Sequence, residues 1–208
     1  MRERKRIALY GGTFDPVHSG HLEIARRISE LFEIDRVIFI PAQLAPHKVG
    51  RLVTEPIHRY AMLALATQDD PRLLISTFEL DAPDRRYTVD TVAHFQRTFG
   101  EATELFFIMG ADSWSEIRTW RDWERLLNMT SHIVVTRPGY EMLPAPAELK
   151  EQIIFSDAVM KDISATNIRR LANEGRYDEL EQMVPGSVAN YIRKYGIYRN
   201  TNEAKLNS

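Results

Sequence analysis

The sequence predicts an α/β fold with a doubly wound, mainly parallel sheet, flanking helices and a small C-terminal helical part. Three observations lead there. Short apolar runs of strand length alternate with stretches of helical spacing, the signature of β-α units. A glycine-bearing turn joins the first apolar run to the first helical stretch. The chain has 208 residues, 44% of them hydrophobic, enough to bury one full core. With no internal repeat and no low-complexity segment, residues 1–208 read as a single domain whose polar end, 199–208, is frayed.

Taken in order, Ile7-Ala8-Leu9-Tyr10 reads as a buried first strand over residues 6–10. Leu22-Glu23-Ile24-Ala25-Arg26-Arg27-Ile28 opens a helix that runs to about residue 32. The β-branched and aromatic Val37-Ile38-Phe39-Ile40 is the second strand and stops at Pro41. A loop follows over residues 41–50, then a helix with Pro56 at its start. Residues 73–77 form the third strand, and a helix starts near Thr88. Residues 104–110 form the most hydrophobic strand, 131–136 the fifth and 152–155 a short last one. Residues 140–148, rich in Pro, Ala and Glu, read as a surface connection, and the C-terminal helix after Pro185 as a packing element.

Composition narrows the function. A net charge of −2 gives no general affinity for nucleic acid or for an anionic membrane. Without cysteine there is no disulfide, thiolate metal site or cysteine nucleophile, which fits a reducing compartment. Residues 1–6 are basic, yet the apolar run after them is too short for a signal peptide, and no run is long enough to span a membrane. A cytoplasmic protein is expected, and a homo-oligomer stays open.

The chemistry concentrates in Gly11-Gly12-Thr13-Phe14-Asp15-Pro16-Val17-His18-Ser19-Gly20-His21. Glycines at a strand-to-helix turn let backbone N–H groups approach a ligand, and the helix brings its positive end to the same place. Both features suit phosphate, and two histidines add donors that become cationic near neutral pH. The stretch lacks Gly-Lys-Ser/Thr, so it is no P-loop. Its glycines do not match G-x-G-x-x-G, so it is not the dinucleotide fingerprint. The bland alternative is a glycine turn with two surface histidines.

A second stretch, Ile163-Ser164-Ala165-Thr166-Asn167-Ile168-Arg169, offers hydroxyls and free N–H groups before a helix, with Arg169 a turn further on. Alone it would be a capped helix with surface arginines. Elsewhere the residues leave two readings open. His47-Lys48 lies on a loop at the ligand-binding edge or is a solvated basic pair. Thr88 caps its helix or contacts substrate. Asp112, after Gly110, accepts from a ribose or a metal, or caps the segment 113–117. Arg59 faces the ligand edge or solvent, His58 is structural or at the surface, and His132 is structural. Trp120 and Trp123, at helical offset, read as core residues or as a stacking face. Arg137 again lies at the carboxyl edge.

The two motifs, in this order and far apart, resemble those of the nucleotidylyltransferase superfamily, which carries His-x-Gly-His after strand one and an Ile-Ser-Ser/Thr-x-x-x-Arg-like motif near the C-terminus. Within it, Gly-Gly-Thr-Phe-Asp-Pro-Val-His-x-Gly-His is similar to that of bacterial nicotinate-mononucleotide adenylyltransferases. The resemblance implies a Rossmann-like fold and transfer of the adenylyl group of ATP to nicotinate mononucleotide, with Mg²⁺ carried on the ATP phosphates and no protein-built metal site. It implies that His18, His21, Lys48 and Arg169 are catalytic. ATP would be held by Gly11, Gly12, Thr13, Phe14, Gly20, Gly110, Asp112, Ile163, Ser164 and Thr166 together with His18, His21 and Arg169. The mononucleotide would meet Thr13, His47, Lys48, Thr88, Arg121, Arg137 and Trp120, the last stacking on the pyridine ring while Trp123 joins the core. Ala45 replaces a proline of the family's Pro-Pro-His, and Arg86 stands where a serine is expected. Three other readings compete: another transferase of the superfamily, such as a phosphopantetheine adenylyltransferase or a cytidylyltransferase; a non-catalytic nucleotide sensor; and, disfavoured by charge, a nucleic-acid-binding module.

Overall fold

The structure, a computed structural model, describes residues 4–43, 53–81, 87–136, 144, 152–157 and 163–199. The chain runs β1 (Lys5–Gly12), α1 (Ser19–Leu31), β2 (Arg36–Pro41), α2 (Pro56–Thr67), β3 (Leu73–Ile75), α3 (Thr88–Phe99) and β4 (Thr103–Gly110). It continues through α4 (Ala111–Ser115), a 3₁₀ turn (Ile117–Thr119), α5 (Trp123–Met129), β5 (Ser131–Val135), β6 (Ile153–Ser156), α6 (Ala165–Asn173), α7 (Tyr177–Leu180) and α8 (Gly186–Tyr195).

Six strands form one sheet in the order β3-β2-β1-β4-β5-β6, and every neighbouring pair is parallel. The expected doubly wound α/β fold is therefore present. The period of two on each strand feeds two cores. Ala8, Tyr10, Val37, Phe39, Phe106 and Ile108 face α1, α2, α6 and α8. Ile7, Leu9, Ile38, Ile40, Leu105 and Phe107 face α3, α4 and α5. β1 lies centrally, and the chain winds outward from it to β3, then restarts at β4 on its other side. The carboxyl ends of β1 and β4 thus mark the switch point, where open α/β sheets bind ligands.

Several boundaries differ from the sequence reading. β1 does not stop at Tyr10: Gly11 and Gly12 still pair with Ile40 and Pro41, so these glycines belong to the strand. β3 ends at Ile75. Thr88 is the first residue of α3, and Tyr87 occupies the cap position. The helix after β4 begins at Ala111, so Gly110 is its cap and Asp112 lies inside its first turn. α6 starts at Ala165, three residues before Ile168, and takes Thr166 into its first turn. His47, Lys48, Ala45, Arg86 and Arg137 lie outside the described residues, as do all of the connection 140–148 except residue 144 and the tail 200–208. Among the described residues no helix is long and apolar enough to cross a membrane.

Candidate active site

The first motif begins where β1 ends. Phe14 takes the left-handed conformation, φ 49°, which is costly for a bulky residue. Packing repays that cost: its ring is 2% exposed and meets Phe39 at 5.4 Å, Tyr10 at 5.5 Å and His21 at 5.0 Å between centroids. The two glycines make room for rings. A Cβ on Gly12 would lie 2.8 Å from the Phe14 ring, and one on Gly11 would lie 3.0 Å from Phe107. Their smallness serves the protein's own packing.

His18 then caps α1 in extended conformation, 8% exposed, and His21 is the third residue of the helix. The two imidazoles stack with centroids 3.7 Å apart. The His18 backbone N–H donates to His21 Nδ1 at 3.2 Å. With Nδ1 accepting, the proton of a neutral His21 sits on Nε2. Gly20 packs closely against this pair: a Cβ there would lie 3.1 Å from His18 Nδ1, a tight contact, and 3.8 Å from the Cβ of Ile163, an ordinary one. The Ser19 N–H already donates to the Met183 carbonyl, so the helix end keeps only part of its donor set for a ligand.

The second motif reaches the first through Arg169. Its Nη1 donates to the Asp15 carbonyl at 2.7 Å and its Nη2 to Thr166 Oγ1 at 3.1 Å. Ser164 caps α6 without a hydroxyl cap bond. Asp15, 5% exposed, also accepts from the Tyr198 hydroxyl at 2.7 Å on Oδ1 and from the Thr54 N–H at 3.3 Å on Oδ2. Burial pushes the Tyr198 phenol well above its ordinary range, and the Asp15 charge adds to that, so the phenol remains a donor.

Arg59 matches neither position expected for it. It is 0% exposed and donates to the carbonyls of Thr54 and Thr13, both at 2.9 Å, and of Gln43 at 3.3 Å. Burial lowers its pKa while the Asp15 charge opposes the shift. Two guanidinium groups therefore occupy the carbonyls of Thr13 and Asp15, both in the first motif.

At the end of β4, Gly110 is exposed, and a Cβ built on it meets nothing within 4 Å among the described residues. Its φ of −78° and ψ of 161° suit any residue. Unlike the glycines of the first motif, it has no internal reason to be glycine. Asp112 is exposed beside it. Among the described residues no group of three or more His, Asp or Glu side chains is placed to hold a metal ion.

A model of the cytidylyltransferase-like family matches residues 9–171, which include both motifs. A relative from Thermoanaerobacter sp. (strain X514), named "Probable nicotinate-nucleotide adenylyltransferase", is 40% identical over 98% of this chain and 99% of its own. One of the same name from Thermus thermophilus is 43% identical over 93% of this chain and 100% of its own. The chain belongs to the nicotinate-nucleotide adenylyltransferases, within the cytidylyltransferase-like family. The fold agrees: the nicotinic acid mononucleotide adenylyltransferase of Plasmodium falciparum, solved with NaAD, superposes with a TM-score of 0.74. That match has 19% identity and covers 93% of this chain and 97% of the other.

In this adenylyltransferase the residues expected at the pyridine ring come from α3 and from the segment before α5. Thr88 is half-buried at the start of α3. Trp120 and Trp123 both lie half-buried on the core that also takes Tyr87, so the structure does not separate a stacking tryptophan from a core one; the deeply buried tryptophan is Trp114. The Trp120 indole N–H is buried and meets no acceptor among the described residues. Arg121 is exposed and lies 4.7 Å over the Tyr87 ring. His58 bonds the Tyr191 hydroxyl at 2.9 Å, in keeping with a structural role. His132 is fully buried, with Nε2 on the Leu126 carbonyl at 3.1 Å, as expected of a structural histidine.

Three residues of this site escape a reading of the sequence. Asp15 sits inside the first motif but looks like a turn residue before proline. Arg59 carried a signal, since it precedes Met62, Leu63 and Ala66 at the helical spacing of the buried face. Tyr198 carried none, because only the fold brings it back across 183 residues of chain.

Proposed function

We propose that this chain transfers the adenylyl group of ATP to nicotinate mononucleotide, giving nicotinate adenine dinucleotide and pyrophosphate in NAD biosynthesis. An oxygen of the mononucleotide phosphate attacks the α-phosphorus. A new P–O bond forms, the bond to the bridging oxygen of the β-phosphate breaks, and pyrophosphate leaves with that electron pair. The attacking phosphate already carries a charge of about −1.5 to −2 near pH 7, so no general base is required. The barrier lies in bringing two anions together and in stabilising charge on the leaving group, the work of positioned donors.

The observation that carries this reading is the 2.7 Å bond from Arg169 to the Asp15 carbonyl, which joins both motifs at the β1–β4 switch point. His18 and His21, stacked at one helix start, and Arg169, at another, then face one polyphosphate from two sides. Gly110 gives ATP an unobstructed stretch of backbone, and Thr88 and Trp120 receive the pyridine ring. His47, Lys48 and Arg137 complete the phosphate and mononucleotide contacts. Asp15, a buried carboxylate at the site, is taken up by the Tyr198 hydroxyl and the Thr54 N–H, which leaves it little capacity to ligate Mg²⁺. The ion would enter on the ATP phosphates. We place this reaction in the cytoplasm, a compartment that supplies ATP.

The test is pyrophosphate release with ATP and Mg²⁺, comparing nicotinate with nicotinamide mononucleotide. Strong turnover with the acid and weak turnover with the amide supports the reading and places discrimination at the ring carboxylate. Equal rates keep the transferase and remove the carboxylate pocket around Thr88. ATP binding without release from either substrate overturns the reading.

A further inference from the structure

Asp15 is a junction of three distant parts of the chain. Its carbonyl holds Arg169 of the second motif, its Oδ1 holds the Tyr198 hydroxyl, and its Oδ2 holds the Thr54 N–H that precedes α2. The first motif runs on from Asp15 to His18 within three residues, so Asp15 adjoins the imidazole pair along the chain while its own carbonyl is bound by the Arg169 guanidinium. A buried carboxylate with a single strong partner can rotate; one gripped on both oxygens cannot. Tyr198 reaches it from a turn just past α8 and itself has φ 73°, a left-handed conformation that a bulky residue keeps only where packing enforces it.

We propose that Tyr198 is a positioning residue for adenylyl transfer, its hydroxyl locking the Asp15 carboxylate so that Arg169 and the His18–His21 pair hold one geometry. The proposal rests on the adenylyltransferase reading above. It assigns a role in turnover to the last described turn of the chain, which otherwise looks like a simple end of a packing helix.

The experiment is pyrophosphate release by the wild type, Tyr198→Phe, Arg169→Ala and the double variant, each at a temperature where circular dichroism shows it fully folded. Tyr198→Phe removes one oxygen. It is expected to lower kcat about 10-fold with both KM values within about 2-fold, because the phosphate donors remain but are misplaced. In the Arg169→Ala background the same change is expected to cost less than about 3-fold, since the hydroxyl acts through a group already lost. A residue that merely stabilised the fold would shift the melting temperature and leave the kcat of the folded enzyme alone. A Tyr198→Phe kcat within about 2-fold of an active wild type, or a double variant that falls by the product of the single losses, overturns the proposal. Should Tyr198→Phe not fold, Asp15→Asn carries the test, because it weakens the same junction from the other side. A kcat loss at unchanged KM supports the proposal and an unchanged kcat overturns it. A wild type that forms no dinucleotide removes the adenylyltransferase reading itself, an outcome distinct from an active wild type with an indifferent Tyr198.

Discussion

His18 and His21 stack ring on ring at 3.7 Å, and the backbone of one binds the side chain of the other at 3.2 Å. The pair therefore behaves as one unit fixed to the start of α1. Removing His18 should leave the fold intact, because its side chain is not part of either apolar core, and under the proposed mechanism it should remove a donor to the polyphosphate. His18→Ala is expected to melt within a few degrees of the wild type and to lose about 10²–10³-fold in kcat. Steady-state pyrophosphate release checks this, and a variant within a few-fold of wild type would sink the mechanism.

Arg59 tests the framework beneath the motif. Arg59→Met keeps much of the side-chain volume but leaves the carbonyls of Thr13, Gln43 and Thr54 without that donor, and takes away one of the two guanidinium charges near Asp15. A loss of about 3 kcal/mol or more is expected from urea unfolding. A loss under about 1 kcal/mol would mean that water reaches those carbonyls.

The glycines divide into two kinds, and alanine separates them. Gly12→Ala places a methyl 2.8 Å from a Phe14 ring that Tyr10, Phe39 and His21 hold in place. It should cost about 1–3 kcal/mol. Gly110→Ala meets no atom within 4 Å among the described residues and should leave stability within about 0.5 kcal/mol. Its effect should fall on ligand approach, as a KM for ATP raised about 10-fold. An unchanged KM would show that ATP does not pass close to the end of β4.

His132 gives the fold a pH dependence. Burial holds its pKa down to about 4 against an ordinary 6.5, with the bond to the Leu126 carbonyl opposing the shift. Well above pH 6.5 the imidazole is neutral folded or unfolded and adds no slope. As the pH falls from 6.5 toward 4, the unfolded chain takes up the proton first, so stability drops, by roughly 3 kcal/mol at full extent. The stability advantage of the wild type over His132→Gln, read from urea unfolding, should therefore shrink between pH 7 and 4.5. A constant difference across that range would show that His132 does not titrate on unfolding.

The alternation of apolar runs and helical spacing determined the α/β class, and the two motifs determined the family, because both depend on residue order alone. Positions facing a ligand edge were legible for the same reason: a motif at a strand's carboxyl end lies there in any doubly wound sheet. Tertiary structure alone decided what the motif residues do for one another. The sequence could not show that Gly11 and Gly12 yield to Phe107 and Phe14, that Arg169 spends one arm on the Asp15 carbonyl, or that Tyr198 closes the junction. Those are contacts between segments far apart in the chain, and their partners follow from how the helices pack on each face of the sheet, which no local pattern encodes.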